Sequence, residues 1–393
     1  METEKLYYQD PYLRAFDATV TACTPRPDGL FAVVLSDTAF YPEGGGQPGD
    51  TGTLSGVRVA DTQEQDGQVV HLCQGALAPG QAVYGEIDWV RRFRHMQCHT
   101  GEHIFSGIAH ALYGCRNVGF HMSRGWVTID LTPPLSPEQL AEVERQSNAA
   151  VFADVPTVVS YPDADALRTL DYRSKKALSG PVRIVEAGGR DVCACCGLHV
   201  ARSGEVGCIK VGTQTPHRGG VRLTLYIGWD AVQDYHEKQQ SVTAISHTLS
   251  AKPHEVAQAV ARMAARNDRC AEEIIALHAE IFRLRAALLP QGQDKLWTFT
   301  QGLTPVEIRQ FADILAEQAG WAAVFSHAAD GTYQYAICSR TQDVRPVCRA
   351  LNAALDGHGG GKAAVAQGAV SAGQDAIEAF CQAFPAGRPV KPV

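Results

Sequence analysis

Two histidines, His99 and His103, stand four residues apart in the run Arg91-Arg92-Phe93-Arg94-His95-Met96-Gln97-Cys98-His99-Thr100-Gly101-Glu102-His103. The run is amphipathic and continues through Ile104, Phe105, Ile108, Ala109 and Leu112, which predicts a helix. Residues four apart share a helix face, so both imidazoles point the same way. Such a pair is half of a tetrahedral metal site, although two ordinary core or surface histidines show the same spacing. A matching half lies downstream. Cys195 and His199 are also four apart, and one thiolate with three imidazoles is a good donor set for zinc.

Other chemistries compete for the same residues. Cys193 and Cys196 form a Cys-x-x-Cys, but a zinc ribbon needs a second such pair and a redox pair needs a thioredoxin-like context; the chain has neither. His99-Thr100-Gly101-Glu102-His103 also fits the inverted zincin pattern, in which Glu102 is the general base of a peptidase. That class takes a downstream carboxylate as third ligand and no thiolate, so Cys195 and His199 argue against it without eliminating it. Glu102 is otherwise a solvated helix residue or a group that orients a ligand.

Composition sets the frame. The 393 residues are 45% hydrophobic and 20% charged, as in an ordinary soluble protein with room for several cores. No apolar run approaches the roughly 18 residues of a membrane span, and Met1-Glu2-Thr3-Glu4-Lys5 has no signal-peptide pattern. The cytoplasm is therefore expected. Twelve cysteines in such a chain point to metal or chemistry rather than disulfides. A net charge of −7 gives no support to a nucleic-acid partner, but a local basic patch would suffice for one.

The elements that must position the donors give an α+β protein in four segments. Residues 1–90 alternate in short runs such as Phe31-Ala32-Val33-Val34-Leu35 between Pro/Asp/Gly turns, which predicts a small β-barrel. Within it, Gly44-Gly45-Gly46 brings bare backbone N–H groups toward a ligand, or makes a flexible hairpin loop. Residues 91–233 hold the histidine helix, a strand pair around Val118–His121 and Trp126–Asp130, and a helix announced by Ser136, Pro137 and Gln139. They form an α/β domain around the metal donors. Residues 234–290 are helical, broken near Ser250 to Pro253. Val256, Val260, Met263, Asn267, Cys270, Ile274, Leu277, Ile281, Leu284 and Leu288 then recur at four-three spacing, a coiled-coil seam that suggests a homodimer, or a hairpin packed on its own chain. Residues 291–393 read as a small α/β domain. There, Gly359-Gly360-Gly361-Lys362 imitates a P-loop, but Ala363 stands where Ser or Thr must follow the lysine, so nucleotide hydrolysis is not expected.

Together, these motifs resemble the editing domain of alanyl-tRNA synthetase and its free-standing AlaX relatives. The resemblance rests on His99/His103, on Cys195/His199 followed by Gly204-Glu205-Val206-Gly207, and on Phe40-Tyr41-Pro42-Glu43-Gly44-Gly45-Gly46-Gln47 with Thr38 just ahead. Gly359-Gly360-Gly361-Lys362 with Ala366-Gln367-Gly368 resembles the synthetase's glycine-rich terminal domain. The resemblance implies one zinc ion on His99, His103, Cys195 and His199. It implies hydrolysis of the ester joining serine, or glycine, to alanine tRNA, with Thr38 and Gln47 as contacts to the serine hydroxyl and no ATP-dependent charging. Leu198 stands where the family often has threonine, which removes a hydroxyl from the pocket side. Arg91, Arg92 and Arg94, and the Arg173/Lys175/Lys176 cluster, are expected phosphate contacts. A tRNA-binding module with a structural zinc is the non-enzymatic alternative.

Overall fold

Strands of alternating burial need a second surface to cover their apolar face, and in the first segment the sheet covers itself. The computed structural model describes residues 3–174 and 181–385, and the chain divides into two units, Met1–Ala244 and Ile245–Val393. Six strands of the first unit close a barrel in the order Ala15–Pro25, Phe31–Leu35, Gln68–Cys73, Val57–Gln65, Gly52–Leu54 and Ala82–Ile87. In the last of these Val83, Gly85 and Ile87 are buried while Tyr84 and Glu86 are exposed, the period-two pattern of a half-buried strand. Val20, Val33, Leu35, Leu54 and Val59 fill the interior, each worth roughly 1.5–3 kcal/mol on burial.

The barrel's final strand ends at Ile87 and the histidine helix, Trp89–Tyr113, begins two residues later. Asp88 makes the turn between them and caps the helix, its carboxylate accepting from the Arg91 N–H at 3.2 Å. Gly114, at φ +65°, ends the helix in the left-handed conformation. The helix is buried from Cys98 through Ala109. A four-stranded antiparallel sheet, in the order Ile209–His217, Gly220–Ile227, Val127–Thr132 and Arg116–Met122, shares its core through Ile129, Leu223, Leu225 and Ile227. The helix Pro137–Phe152 starts with the expected capping box, Ser136 and Gln139 satisfying each other's backbone N–H groups. A three-stranded sheet, Val158–Ser160, Ile184–Ala187 and Asp191–Ala194, delivers the chain to the second pair of donors.

The expected break near Ser250 falls between helices Trp229–Leu249 and Val256–Ala287, with Ser250 at φ +49°. In the second unit a five-stranded sheet runs Gln293–Gln301, Ala319–His327, Tyr333–Cys338, Val365–Val370 and Gly357–Lys362. The helix Pro305–Leu315 covers one face, where Phe282 of the long helix stacks on Phe311 with ring centres 4.6 Å apart. The glycine-rich segment is the sheet's edge strand, paired antiparallel with Val365–Val370, and so does not open a helix as a P-loop does. Among the described residues no helix is long and apolar enough to cross a membrane.

Candidate metal centre

The histidine helix presents His99 and His103, and the segment after Asp191–Ala194 presents Cys195 and His199. Their ligating atoms all lie within 4.8 Å of one another. Cys195 Sγ is 3.4 Å from Nε2 of His99 and 3.4 Å from Nε2 of His199. The turn between Cys195 and His199 needs glycine in its middle, because a Cβ on Gly197 would sit 1.9 Å from His99 Cε1.

The surroundings set the tautomer of all three rings. Gln47 Oε1 accepts from the Leu198 N–H at 3.1 Å, so at 3.0 Å it can only accept from His99 Nδ1. Thr100 directs its proton to the Met96 carbonyl and faces His199 Nδ1 at 3.1 Å, so there the ring donates. The Asp191 carboxylate accepts from His103 Nδ1 at 2.8 Å, and its other oxygen is held by Arg173 Nε at 2.6 Å. Each Nδ1 is thus engaged, which leaves each Nε2 lone pair for a shared centre.

Charge fits as well. Burial works against a thiolate at Cys195, but the three imidazoles around it hold its pKa well below that of an ordinary thiol. Burial likewise opposes a charge on His103; the Cys195 thiolate and Asp191 outweigh it and raise that ring, so a metal ion would bind there by displacing the proton from Nε2. Burial lowers His199 to about 3. Cys193, pushed up to about 11 chiefly by burial, stays a thiol. The Cys-x-x-Cys is therefore split, with Cys193 buried and Cys196 exposed. One thiolate and three oriented imidazoles, all at least partly buried, suit a tetrahedral zinc ion.

A cavity of 540 Å³ opens over the donors, lined by Gly45, Gly46, His99, Phe120, Cys195 and Cys196 among others. Phe120 lies against the His99 ring, with centres 5.3 Å apart. Gly44 does not line it; it closes the tight turn with Gln47 through two 3.0 Å backbone bonds.

The remaining expected site residues are placed differently. Thr38 is fully buried, its hydroxyl 2.8 Å from His71 Nε2 and accepting from the Phe40 N–H, and it does not line the cavity. Glu102 is buried too, and its carboxylate accepts from Ser106 at 2.6 Å and from Asn117. Neither hydroxyl nor carboxylate faces the donors' cavity, because both are drawn into buried hydrogen-bond networks. Arg92 is wholly buried, paired with Asp50 and bonded to the Pro11 and Ala39 carbonyls. Arg94 holds Asp230 with 2.9 Å contacts to both oxygens, and Arg91 bonds the Gly49 carbonyl. These arginines brace the fold instead of presenting a basic face to phosphate. Arg173 serves Asp191, while Lys175 and Lys176 lie outside the described residues. Leu198 turns into the hydrophobic core and not to the pocket side.

Sequence reasoning missed Asp191, Thr100 and Gly107. Gly107 sits one turn beyond His103, and a Cβ there would lie 2.6 Å from Asp191 Cβ. Glycine in mid-helix is unfavourable by about 1 kcal/mol, which makes it a legible sign of a close approach; here it lets the Asp191 strand reach the helix.

Comparisons with known proteins follow the same layout. The family model for class II (A) tRNA synthetases matches residues 17–91. That for the threonyl and alanyl tRNA synthetase second additional domain matches 182–223, and the DHHA1 domain matches 293–386. The alanine–tRNA ligase of Halobacterium salinarum is 38% identical over 278 residues, 66% of this chain and 30% of the ligase. The alanyl-tRNA editing protein Aarsd1 of Danio rerio is 29% identical over 381 residues, 92% of each chain. Its counterpart in Rattus norvegicus is 30% identical over 277 residues, 66% of this chain and 67% of the relative. The chain belongs to the alanyl-tRNA editing protein family. Within that family assignment, His99 and His103 fall between the matched segments, so their part in the centre rests on the geometry. The 278 matched residues span less than a third of that ligase.

Proposed function

We propose that this chain is a trans-editing hydrolase that removes serine, and glycine as a second substrate, from alanine tRNA, with zinc held by His99, His103, Cys195 and His199. The observation that carries the reading is the set of three imidazoles fixed in one tautomer around a thiolate, beneath a cavity walled by glycine backbone. Zinc held by those four side chains would supply a fixed positive charge beside the ester, and would polarise its carbonyl as a Lewis acid by taking a fifth ligand. The chain's own residues do the rest. Gln47 uses its carbonyl on His99 and Leu198, and its Nε2 has no partner among the described residues. Gln47, like Thr38, is fully buried and does not line the cavity, but its NH2 is unspent, and we assign that group to the hydroxyl of a bound seryl ester, which an alanyl methyl would leave unpaired. A charging pocket built for alanine cannot strongly reject glycine or serine, which is the need such an editing site meets. Gly45 and Gly46 let the substrate approach the backbone, and Phe120 keeps one wall apolar.

A peptidase of the inverted zincin kind needs its glutamate at the metal; Glu102 is instead held by Ser106 and Asn117. We assign the unit that matches the DHHA1 domain to contact with the tRNA body and expect no ATP use and a cytoplasmic site of action.

The partner we favour besides tRNA is a second copy of the chain. On Val256–Ala287 the seam residues Ile274, Leu277, Ile281 and Leu284 are 42–62% exposed, while Phe282 and Ala286 face their own chain. Read as heptads, Val260, Asn267, Ile274 and Ile281 occupy one seam position and Met263, Cys270, Leu277 and Leu284 the other. β-Branched residues at the first and leucine at the second favour a parallel two-stranded coil, with a single Asn fixing register.

The deciding assay follows release of labelled serine from Ser-tRNA(Ala), with Ala-tRNA(Ala) as control. Release that disappears in Cys195→Ala and His103→Ala, together with their bound zinc, supports the reading. Intact zinc without release would leave a tRNA-binding module.

A further inference from the structure

A second cavity, of 480 Å³, adjoins the one over the donors, and Val118, Ser174 and Cys193 line both. Their common wall is the strand Arg116–Met122. Its pairing with Val127–Thr132 slips: Gly119 lies opposite Asp130 and Asn117 opposite Leu131, which leaves Val118 over. A bulge of this kind breaks the alternation of a strand and re-aims its side chains. Consecutive residues therefore reach the cavities, Arg116 to Val118 in the second and Val118 to Phe120 in the first.

The two chambers differ in chemistry. The first holds the donors, glycine backbone and Phe120. The second is walled by His110, Arg116, Asn117, Tyr172 and Arg173, with Asp171 the one carboxylate among the described lining residues. Arg173 is committed to Asp191, whereas Arg116 is exposed and makes no ion pair or side-chain hydrogen bond among the described residues. An unpaired guanidinium on a cavity wall matches the fork of phosphate oxygens. The half-buried Tyr172 ring adds a stacking face of the kind that single-stranded RNA uses. Each chamber is of the size that takes a small ligand, so the pair suits a ligand with an acyl-ribose end and a phosphate-bearing end.

We propose that the second chamber is a phosphate subsite for the 3′ end of the RNA, with Arg116 contacting the phosphate on the 5′ side of the terminal nucleoside. The proposal rests on the deacylase reading for what occupies the first chamber, but not on zinc.

Two minimal substrates separate the terms: 3′-O-seryl-adenosine with and without a 5′-phosphate. In the wild-type protein the phosphate raises kcat/KM about tenfold, the yield of one charge-assisted contact. In Arg116→Gln that gain disappears, and in Arg116→Lys part of it returns. A gain that survives in Arg116→Gln overturns the subsite. If the wild-type protein releases serine from neither compound nor from tRNA, the deacylase reading fails, and a second arm still decides the subsite. There a fluorescent oligonucleotide ending in 3′-CCA is titrated at fixed salt. About tenfold weaker binding by Arg116→Gln supports it, and equal affinity sinks it.

Discussion

The side-chain carbonyl of Gln47, on the barrel, bonds His99 Nδ1 at 3.0 Å and the Leu198 N–H at 3.1 Å, and so ties together the two chain segments that supply the donors. Groups that orient a ligand in this way typically contribute 10–100-fold to metal affinity. Gln47→Leu, similar in size but without the carbonyl, is expected to lower zinc affinity by about that factor. Competition against a chromophoric chelator measures it. Unchanged affinity would mean that the barrel does not tune the centre.

Gly107 lets the Asp191 strand pack against the histidine helix. In Gly107→Ala the added methyl must displace Asp191, since the two Cβ atoms would be 2.6 Å apart. The gain in helix propensity, about 1 kcal/mol, is outweighed by overpacking of about 1–3 kcal/mol. We expect a net loss of stability and weaker metal retention, read by thermal melts and by zinc content after dialysis. A variant more stable than the wild type, with its zinc retained, contradicts the account.

A parallel two-stranded coil sets Cys270 of one copy opposite Cys270 of the other. Mild oxidation should then yield a reducible dimer band that Cys270→Ser abolishes, and light scattering should report twice the chain mass before oxidation. A monomer by light scattering refutes the coil. A dimer that does not crosslink points to antiparallel helices.

His71 gives a pH signature remote from the metal. Its Nδ1 donates to the Val33 carbonyl at 3.0 Å and its Nε2 accepts from Thr38, inside the barrel. Burial lowers its pKa from 6.5 to about 4. The unfolded chain therefore takes up this proton first, so the stabilising effect is complete above pH 6.5 and is lost as pH falls from there toward 4. Between pH 7 and pH 5 the loss is about 2 kcal/mol. Urea unfolding at the two pH values should give a drop smaller by about that amount in His71→Gln than in the wild type. Equal drops would mean that His71 titrates normally in the folded protein.

The parts of this molecule that repeat locally were the parts legible in its sequence. His99 and His103 are visible as a pair because the helical period fixes their direction. The barrel strands announce themselves by alternation, and the break after Leu249 by Ser250 and Pro253. What stayed hidden depends on partners far along the chain. Nothing near Arg92 or Arg94 says that Asp50, 42 residues away, or Asp230, 136 residues away, will claim the guanidinium. Thr38 sits in a motif that suggests substrate contact, yet its hydroxyl is taken by a histidine across the barrel. Asp191 has no motif at all. Its role appears only when the strand crosses the helix at Gly107.

The Arg92–Asp50 pair bears on how this protein can be cut and reused. Arg92 is fully buried and Asp50 nearly so. Breaking such a pair typically costs 3–5 kcal/mol, because the remaining charge is stranded away from water. A fragment that starts at residue 91 would lose Asp50, Pro11 and Ala39, the groups bonded to the Arg92 guanidinium, and would lack Gln47, while one that stops at residue 90 would lose the guanidinium that holds Asp50. The sequence changes character near residue 90, but the physical seam does not lie there. A transplantable or minimal version of the centre must keep the barrel and the histidine helix on one chain.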